Sequence, residues 1–456
     1  MPIKWTNAAF GKGLRTIISE KNAAHKIINF GAYQVFNAST YTALQWFMPN
    51  SNELLYYELD KNLTTNQELD SYLKSLNNKK VSKIKANKLN KETWVLTTGC
   101  TTEILEKLES HSRCIGDIFE RIFQGLATSK DDVYFLYNCT EMNGLVYGYS
   151  KQLGYQVCIE RGLVKPLLKG EDVHRYDHIS TDRFVIFPYK LKNGKAILYT
   201  EKEIEELFPK GYDYLKECED ILRNREKGRL KNDEYWYKYI YPKNLALFEN
   251  EKLVAPEISL GGNFAYDQFG EFYSTTKIYG YVKNENVKES YKFWLALFNS
   301  KLFWFYIKNT GYVLRGGYYT FKTNYVAPFP VPRNIASNSE KVVSILCDYI
   351  LFLKSLDANI SDLISNKLIS DYFEKIIDGC IYEIYFEDYM KMLEIDIINP
   401  ALNIIKSISN ISSDKEKIEI IYNTFLTIKK TDNPIRNRLE LFTLRSPELL
   451  KSIIEE

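Results

Sequence analysis

The stretch from Phe293 to Pro332, FWLALFNSKLFWFYIKNTGYVLRGGYYTFKTNYVAPFPVP, constrains the chain more than any other. Phe293, Leu297, Leu302, Phe303 and Phe305 make a dense apolar surface with helical spacing, interrupted only by Asn299, Ser300 and Lys301. Gly311 ends that helix. Arg315-Gly316-Gly317-Tyr318-Tyr319 follows, with Lys322 just beyond. Paired glycines allow positive φ or the close approach of a ligand to the backbone. A guanidinium, an ammonium and two phenols around them would supply phosphate hydrogen bonds and stacking faces. The same residues also read as a core helix followed by a plain glycine turn. Pro328, Pro330 and Pro332 forbid a central strand, so the segment ends as an extended edge.

At 456 residues the chain is too long for one core, and two or three domains are expected. Hydrophobic residues at 45% and charged residues at 26% suit a globular protein. Lys+Arg 60 against Asp+Glu 58 leaves +2, so any DNA surface must be a local basic face rather than a global field. The seven cysteines show no CxxC pair and no metal-ligand spacing with the four histidines, so no metal is expected. That usage suits a reducing cytoplasm. No signal peptide or bilayer-length apolar run is visible.

The N-terminal stretch reads as strand–helix–strand–strand: Met1 to Trp5, a helix to about Glu20, His25 to Phe30, and Tyr41 to Phe47. That is the tail of an α/β sheet rather than a complete one. FGKG at positions 10–13 lacks the spaced glycines and Lys-Ser/Thr of a phosphate loop. From Asn62 to Lys91 the chain is polar and Lys-rich, either a basic track for phosphates or a solvated connecting helix. In Leu168-Lys169-Gly170-Glu171-Asp172-Val173-His174-Arg175-Tyr176, Arg175 either pairs with Asp172 or grips phosphate or a guanine edge. Glu219 to Trp236 reads as a solvated charged helix. Beyond Arg333, Leu and Ile recur at helical spacing with little glycine.

The order KLVAPEIS, NFAYDQFGEFYSTTKIYGYV, LFNSKLFWFYI and RGGYYTFKTNYVAPFPVP from Lys252 to Pro332 resembles a TaqI-like target-recognition domain. Such domains lie at the C-terminal side of adenine-specific DNA methyltransferases and of fused type IIG restriction-modification enzymes. Residues 120–136, 168–176 and 184–189 follow in the same family order. Upstream, Ile3-Lys4-Trp5, Gly13-Leu14-Arg15, IINFG at 27–31 and YQVF at 33–36 resemble the last part of γ-class adenine methyltransferase catalytic domains.

The resemblance implies an α+β multidomain chain. Its parts would be a remnant of an α/β methyltransferase sheet (1–60), a linker helix (61–104), a mixed α+β recognition domain (105–332) and an all-helical tail (333–456). It implies double-stranded DNA as partner, with Lys169, Arg175, Tyr176, Arg315, Tyr318, Tyr319 and Lys322 as contact candidates. Phe36, at the position of the family's base-contacting aromatic, would pack against an extruded adenine; the plainer alternative is a buried strand-end residue. The intact family moves a methyl group from S-adenosylmethionine to the adenine N6. Its glycine-rich donor loop and Asn/Asp-Pro-Pro-aromatic tetrapeptide are missing here. Asn399-Pro400-Ala401 and Asn433-Pro434-Ile435 lack the second proline and the aromatic. No catalytic residue is therefore expected in this chain, which alone should neither bind the donor tightly nor methylate DNA. It reads as the C-terminal portion of such an enzyme. The alternative is a stand-alone specificity subunit served by a separate catalytic chain.

Overall fold

The computed structural model describes residues 1–455 apart from Ala32, Gln34, 36–40, 60–64, 77, 78 and 80; for Ala9 and Arg315 it describes the backbone alone. Helix α1 (Lys12–Glu20) precedes a four-stranded sheet of β1 (Ala24–Asn29), β2 (Ala43–Phe47), β3 (Glu53–Glu58) and β4 (Ser82–Lys85), in the order β2-β1-β3-β4. Strands β1 and β3 are parallel; the other two pairings are antiparallel. The period of two sends neighbouring residues to opposite faces. Ile27, Leu54 and Tyr56 join Trp5, Ile18 and Trp94 on one side. Ile28 and Tyr57 meet Leu69 and Tyr72 of helix α2 (Asn66–Lys74) on the other.

Two expectations change here. The stretch 61–104 reads as a linker helix, yet part of it forms α2 and β4, because Ile84 and its neighbours pair with β3. The stretch from Met1 to Trp5, read as a strand with no preceding element to pair with, instead meets the segment leading into β2: Met1 and Ala43 exchange backbone hydrogen bonds at 3.0 Å, and Ile3 N–H donates to the Tyr41 carbonyl.

The middle of the chain holds a six-stranded sheet and a four-stranded one. The latter orders 265–267, 252–256, 278–282 and 121–124. Lys252 and Asp267 form a buried ion pair within it. The aromatic run is two helices, Tyr291–Phe298 and Lys301–Thr310, not one. Ser300 Oγ caps the second by accepting from Phe303 N–H at 3.2 Å, while Asn299 bonds both the N–H and the C=O of Phe264 at 3.0 Å. The break at Gly311 stands, since a Cβ there would lie 2.4 Å from the Ile307 carbonyl oxygen. The charged stretch from Glu219 is broken at Glu226 and Lys227, both with positive φ. Its Arg225 is buried rather than solvated, donating to the carbonyls of Leu222, Thr128, Trp236 and Lys238.

Beyond residue 333 the chain is helical, led by Ser337–Ser355 and Asn366–Tyr385. These helices share one core with the aromatic run, from Phe293, Phe303 and Ile307 through Leu346 and Tyr349 to Ile376 and Tyr382. The architecture is mixed α+β, and no helix among the described residues is long and apolar enough to cross a membrane.

Candidate nucleic-acid interface

Parallel strands β1 and β3 run side by side, so their carboxyl ends, Asn29 and Glu58, open at one edge of the sheet. Ligands of open α/β sheets sit outside such ends. Here they open into a cavity of about 750 Å³. Its opposite wall is the end of helix Lys301–Thr310 and the loop beyond, through Gly311, Tyr312, Val313, Gly317 and Tyr319. Lys4 ties the two walls together: its Nζ donates to Tyr312 Oη at 3.2 Å and to the Val313 carbonyl at 3.3 Å, and lies 5.1 Å from the Tyr41 ring centroid. Tyr41 donates to the Leu314 carbonyl at 2.9 Å. Asn29 donates from Nδ2 to Tyr56 Oη at 2.9 Å, and burial pushes the Tyr56 phenol well above its usual range. Asn7, in the wall, has a buried Oδ1 without a hydrogen-bond partner among the described residues. Aromatic faces, the Lys4 ammonium and an unsatisfied acceptor suit a flat, hydrogen-bonding heterocycle better than an apolar ligand.

The rim is the glycine loop. Gly316 and Gly317 have φ of 81° and 78°, so side chains there would be strained. Residues 319–320 pair antiparallel with 258–259. Tyr318 is exposed, whereas Tyr319 lines the cavity and meets Trp304 edge-on at 5.3 Å. Lys322 is half exposed and pairs with Glu257 at 3.1 Å, a hydrogen bond that raises its pKa. The side chain of Arg315 lies outside the described residues, as does Phe36; the backbone of Arg315 belongs to this loop. Sequence neighbours of Phe36, Tyr33 and Tyr41, line the cavity.

The remaining candidates sit elsewhere. Lys169 rests 4.6 Å over the Tyr137 ring. Arg175 does not pair with Asp172: it bonds Glu374 of the helical tail and the carbonyls of Asn299 and Gly262. Asp172 instead takes Arg183, at 2.9 and 3.1 Å. Tyr176 is fully buried in a left-handed conformation, φ 57°, and presents no face to a base. In this fold both residues make contacts within the chain, Arg175 through its ion pair and Tyr176 through burial. Lys4, Asn7 and Asn29 escaped the sequence reading. Only Asn29 had a signal, its place at the carboxyl end of a strand.

Residues 165–331 match the family profile described as the TaqI-like C-terminal specificity domain. The chain is similar to the type II restriction enzyme and methyltransferase RM.Eco57I of Escherichia coli, 28% identical over 73% of this chain and 34% of the relative. It is also similar to the type II methyltransferase M.HindII of Haemophilus influenzae, 26% identical over 71% of this chain and 61% of the relative. It thus spans about a third of the first and under two thirds of the second. A solved structure of the type IIG restriction endonuclease BpuSI aligns over 85% of this chain and 47% of its own, at 11% identity and a TM-score of 0.36.

Proposed function

We propose that this chain reads a site in duplex DNA for adenine methylation in a restriction-modification system, a reading supported by the match of residues 165–331 to the TaqI-like C-terminal specificity domain. The observation that carries the reading is the meeting of two features at one rim. The glycine-tyrosine loop of the specificity domain closes against the carboxyl ends of a parallel strand pair. In this reading the loop holds the duplex, and the cavity takes an adenine out of the stack. Tyr41 and Tyr312 offer faces to it and Asn7 and Asn29 meet its edge; Phe36 is the aromatic proposed to stack on the base. Lys322 and Arg315 neutralise phosphates and fix the register.

The methyl donor of such a reaction is S-adenosylmethionine, and the residues here do not fit a donor site. Asn399-Pro400 lies inside the helix Ile398–Leu402, and Asn433 caps the next but one, accepting from Ile435 N–H at 2.9 Å. No step is assigned to the donor in this chain. The donor site would come from further polypeptide, in the same protein or in a separate catalytic chain. One observation favours a covering partner of either kind. Phe10, Leu14 and Ile17 form an exposed apolar stripe along α1 and the turn before it, and Trp46 and Phe47 are exposed on β2.

The test is selection of bound sequences from a random duplex library by the full chain, followed by salt-titrated binding. Enrichment of one adenine-containing site, with affinity falling steeply in salt, is expected. Salt-independent binding, or none, would overturn the reading.

A further inference from the structure

Antiparallel pairing of Ile258 with Thr320 and Ser259 with Tyr319 makes Leu260 and Tyr318 the next cross-strand neighbours, where the ribbon ends. Both are exposed large side chains, Leu260 at 56% and Tyr318 at 41%, on the same rim where Gly317 and Tyr319 line the cavity. The space beside them is open. A Cβ at Gly261 would find no atom within 4 Å, and one at Gly317 would meet only Leu260 Cδ2, at 4.0 Å. The Tyr318 ring lies over Gly316, 3.5 Å from where a Cβ would sit, and Leu260 Cδ2 lies 4.0 Å from one at Gly317, so the glycines make room for both side chains at the rim.

The base beneath them is stiff. Leu314 N–H donates to the Tyr318 carbonyl at 2.6 Å, and Gly317 N–H to the Leu314 carbonyl at 3.2 Å. On the Leu260 side, Gly262 is pressed against the Phe298 carbonyl, where a Cβ would lie 2.4 Å away, and Arg175 reaches its own carbonyl from below. A flexible apolar loop in water would fold its side chains inward; this one holds them out.

We propose that Leu260 and Tyr318 form an apolar wedge that enters the duplex at the step from which a base leaves for the cavity, filling the gap in the stack. The proposal rests on the function inferred above and names how the same rim works. Apolar side chains inserted between base steps are a general means of unstacking DNA, and here the wedge and the receiving cavity adjoin. The wedge lowers the cost of extrusion, because the neighbours of the departed base stack on Leu260 and Tyr318 rather than on water.

The experiment uses the full chain and the duplex selected from the random library, with 2-aminopurine placed in turn at each adenine. A second duplex carries a mismatch at the same position. For the wild type, fluorescence should rise at one adenine on binding. The Leu260→Ala/Tyr318→Ala double variant should keep the salt slope but lose the fluorescence rise and roughly tenfold in affinity on the paired duplex. On the mismatched duplex, where unpairing costs least, the loss should shrink to about threefold or less. Leu260→Met, which stays apolar, should behave as wild type. An equal loss on both duplexes, or no loss on either, overturns the wedge. If the wild type shows no site-selective, salt-dependent binding, the functional reading itself falls; if it binds so and only the variants fail to differ, the wedge alone falls.

Discussion

Arg175 holds the specificity domain to the helical tail, and its removal leaves Glu374, a side chain only 16% exposed, without its cation. Breaking a buried pair from one side costs about 3–5 kcal/mol; this one is partly wet, so Arg175→Ala should cost roughly half that. Thermal unfolding should shift down while the salt slope of DNA binding stays unchanged. Arg315→Ala should do the reverse. If Arg315 neutralises a phosphate, its removal flattens the slope by about one unit on every duplex. If it meets a base edge instead, removal costs roughly 1–3 kcal/mol on the selected site only. Salt titrations of both variants on selected and scrambled duplexes separate the roles. Asp378 gives a third check. Burial pushes its carboxyl up from 3.8 to about 6, even though it accepts from Lys301 N–H. Between those values the folded chain holds a proton that the unfolded chain has lost, so folding takes up a proton and stability rises as pH falls. Relative to Asp378→Asn, the wild type should gain at most about 3 kcal/mol from pH 7 to pH 4, read by denaturant unfolding. The glycine turn at the rim was legible, because paired glycines favour the positive φ that Gly316 and Gly317 both adopt. Arg175 was not, since its carboxylate lies 199 positions away and local spacing suggested Asp172 instead.

Elements were legible where a local rule decides them. Gly311 ends its helix by a backbone clash, and the proline run supplies only the short pairing of 330–331 with 113–114. The split at Asn299 was hidden, because the side chain that interrupts the apolar surface is itself buried, bonded to Phe264 across 35 positions. Strand β4 was hidden for a related reason: a Lys-rich segment shows one apolar residue, Ile84, and its pairing with β3 comes from tertiary contact. The stripe on α1 carries its own expectation. Without its covering polypeptide the stripe should drive concentration-dependent self-association of this chain, which Leu14→Glu with Ile17→Glu should suppress in sedimentation while leaving the salt slope of DNA binding intact. Unchanged sedimentation would mean that the stripe covers nothing.

Across the whole molecule, composition suggested several cores, yet the largest one ignores the boundary near residue 333. Leu346, Tyr349, Ile376 and Tyr382 of the tail are buried in the same cluster as Phe293 and Phe303. Removing residues 333–456 should therefore unfold the specificity domain rather than trim it, seen as loss of the near-ultraviolet signal of its aromatics. The contact between Lys4 and Tyr312 closes the cavity across 308 positions of sequence. During synthesis at about 5–20 residues per second, the N-terminal wall then waits roughly a quarter of a minute to a minute for its counterpart to emerge. Throughout that interval the carboxyl ends of β1 and β3 stand open, without the wall that faces them in the finished chain. A chain cut short by stalling has no finished cavity, so the interface doubles as a record that translation got past Tyr312.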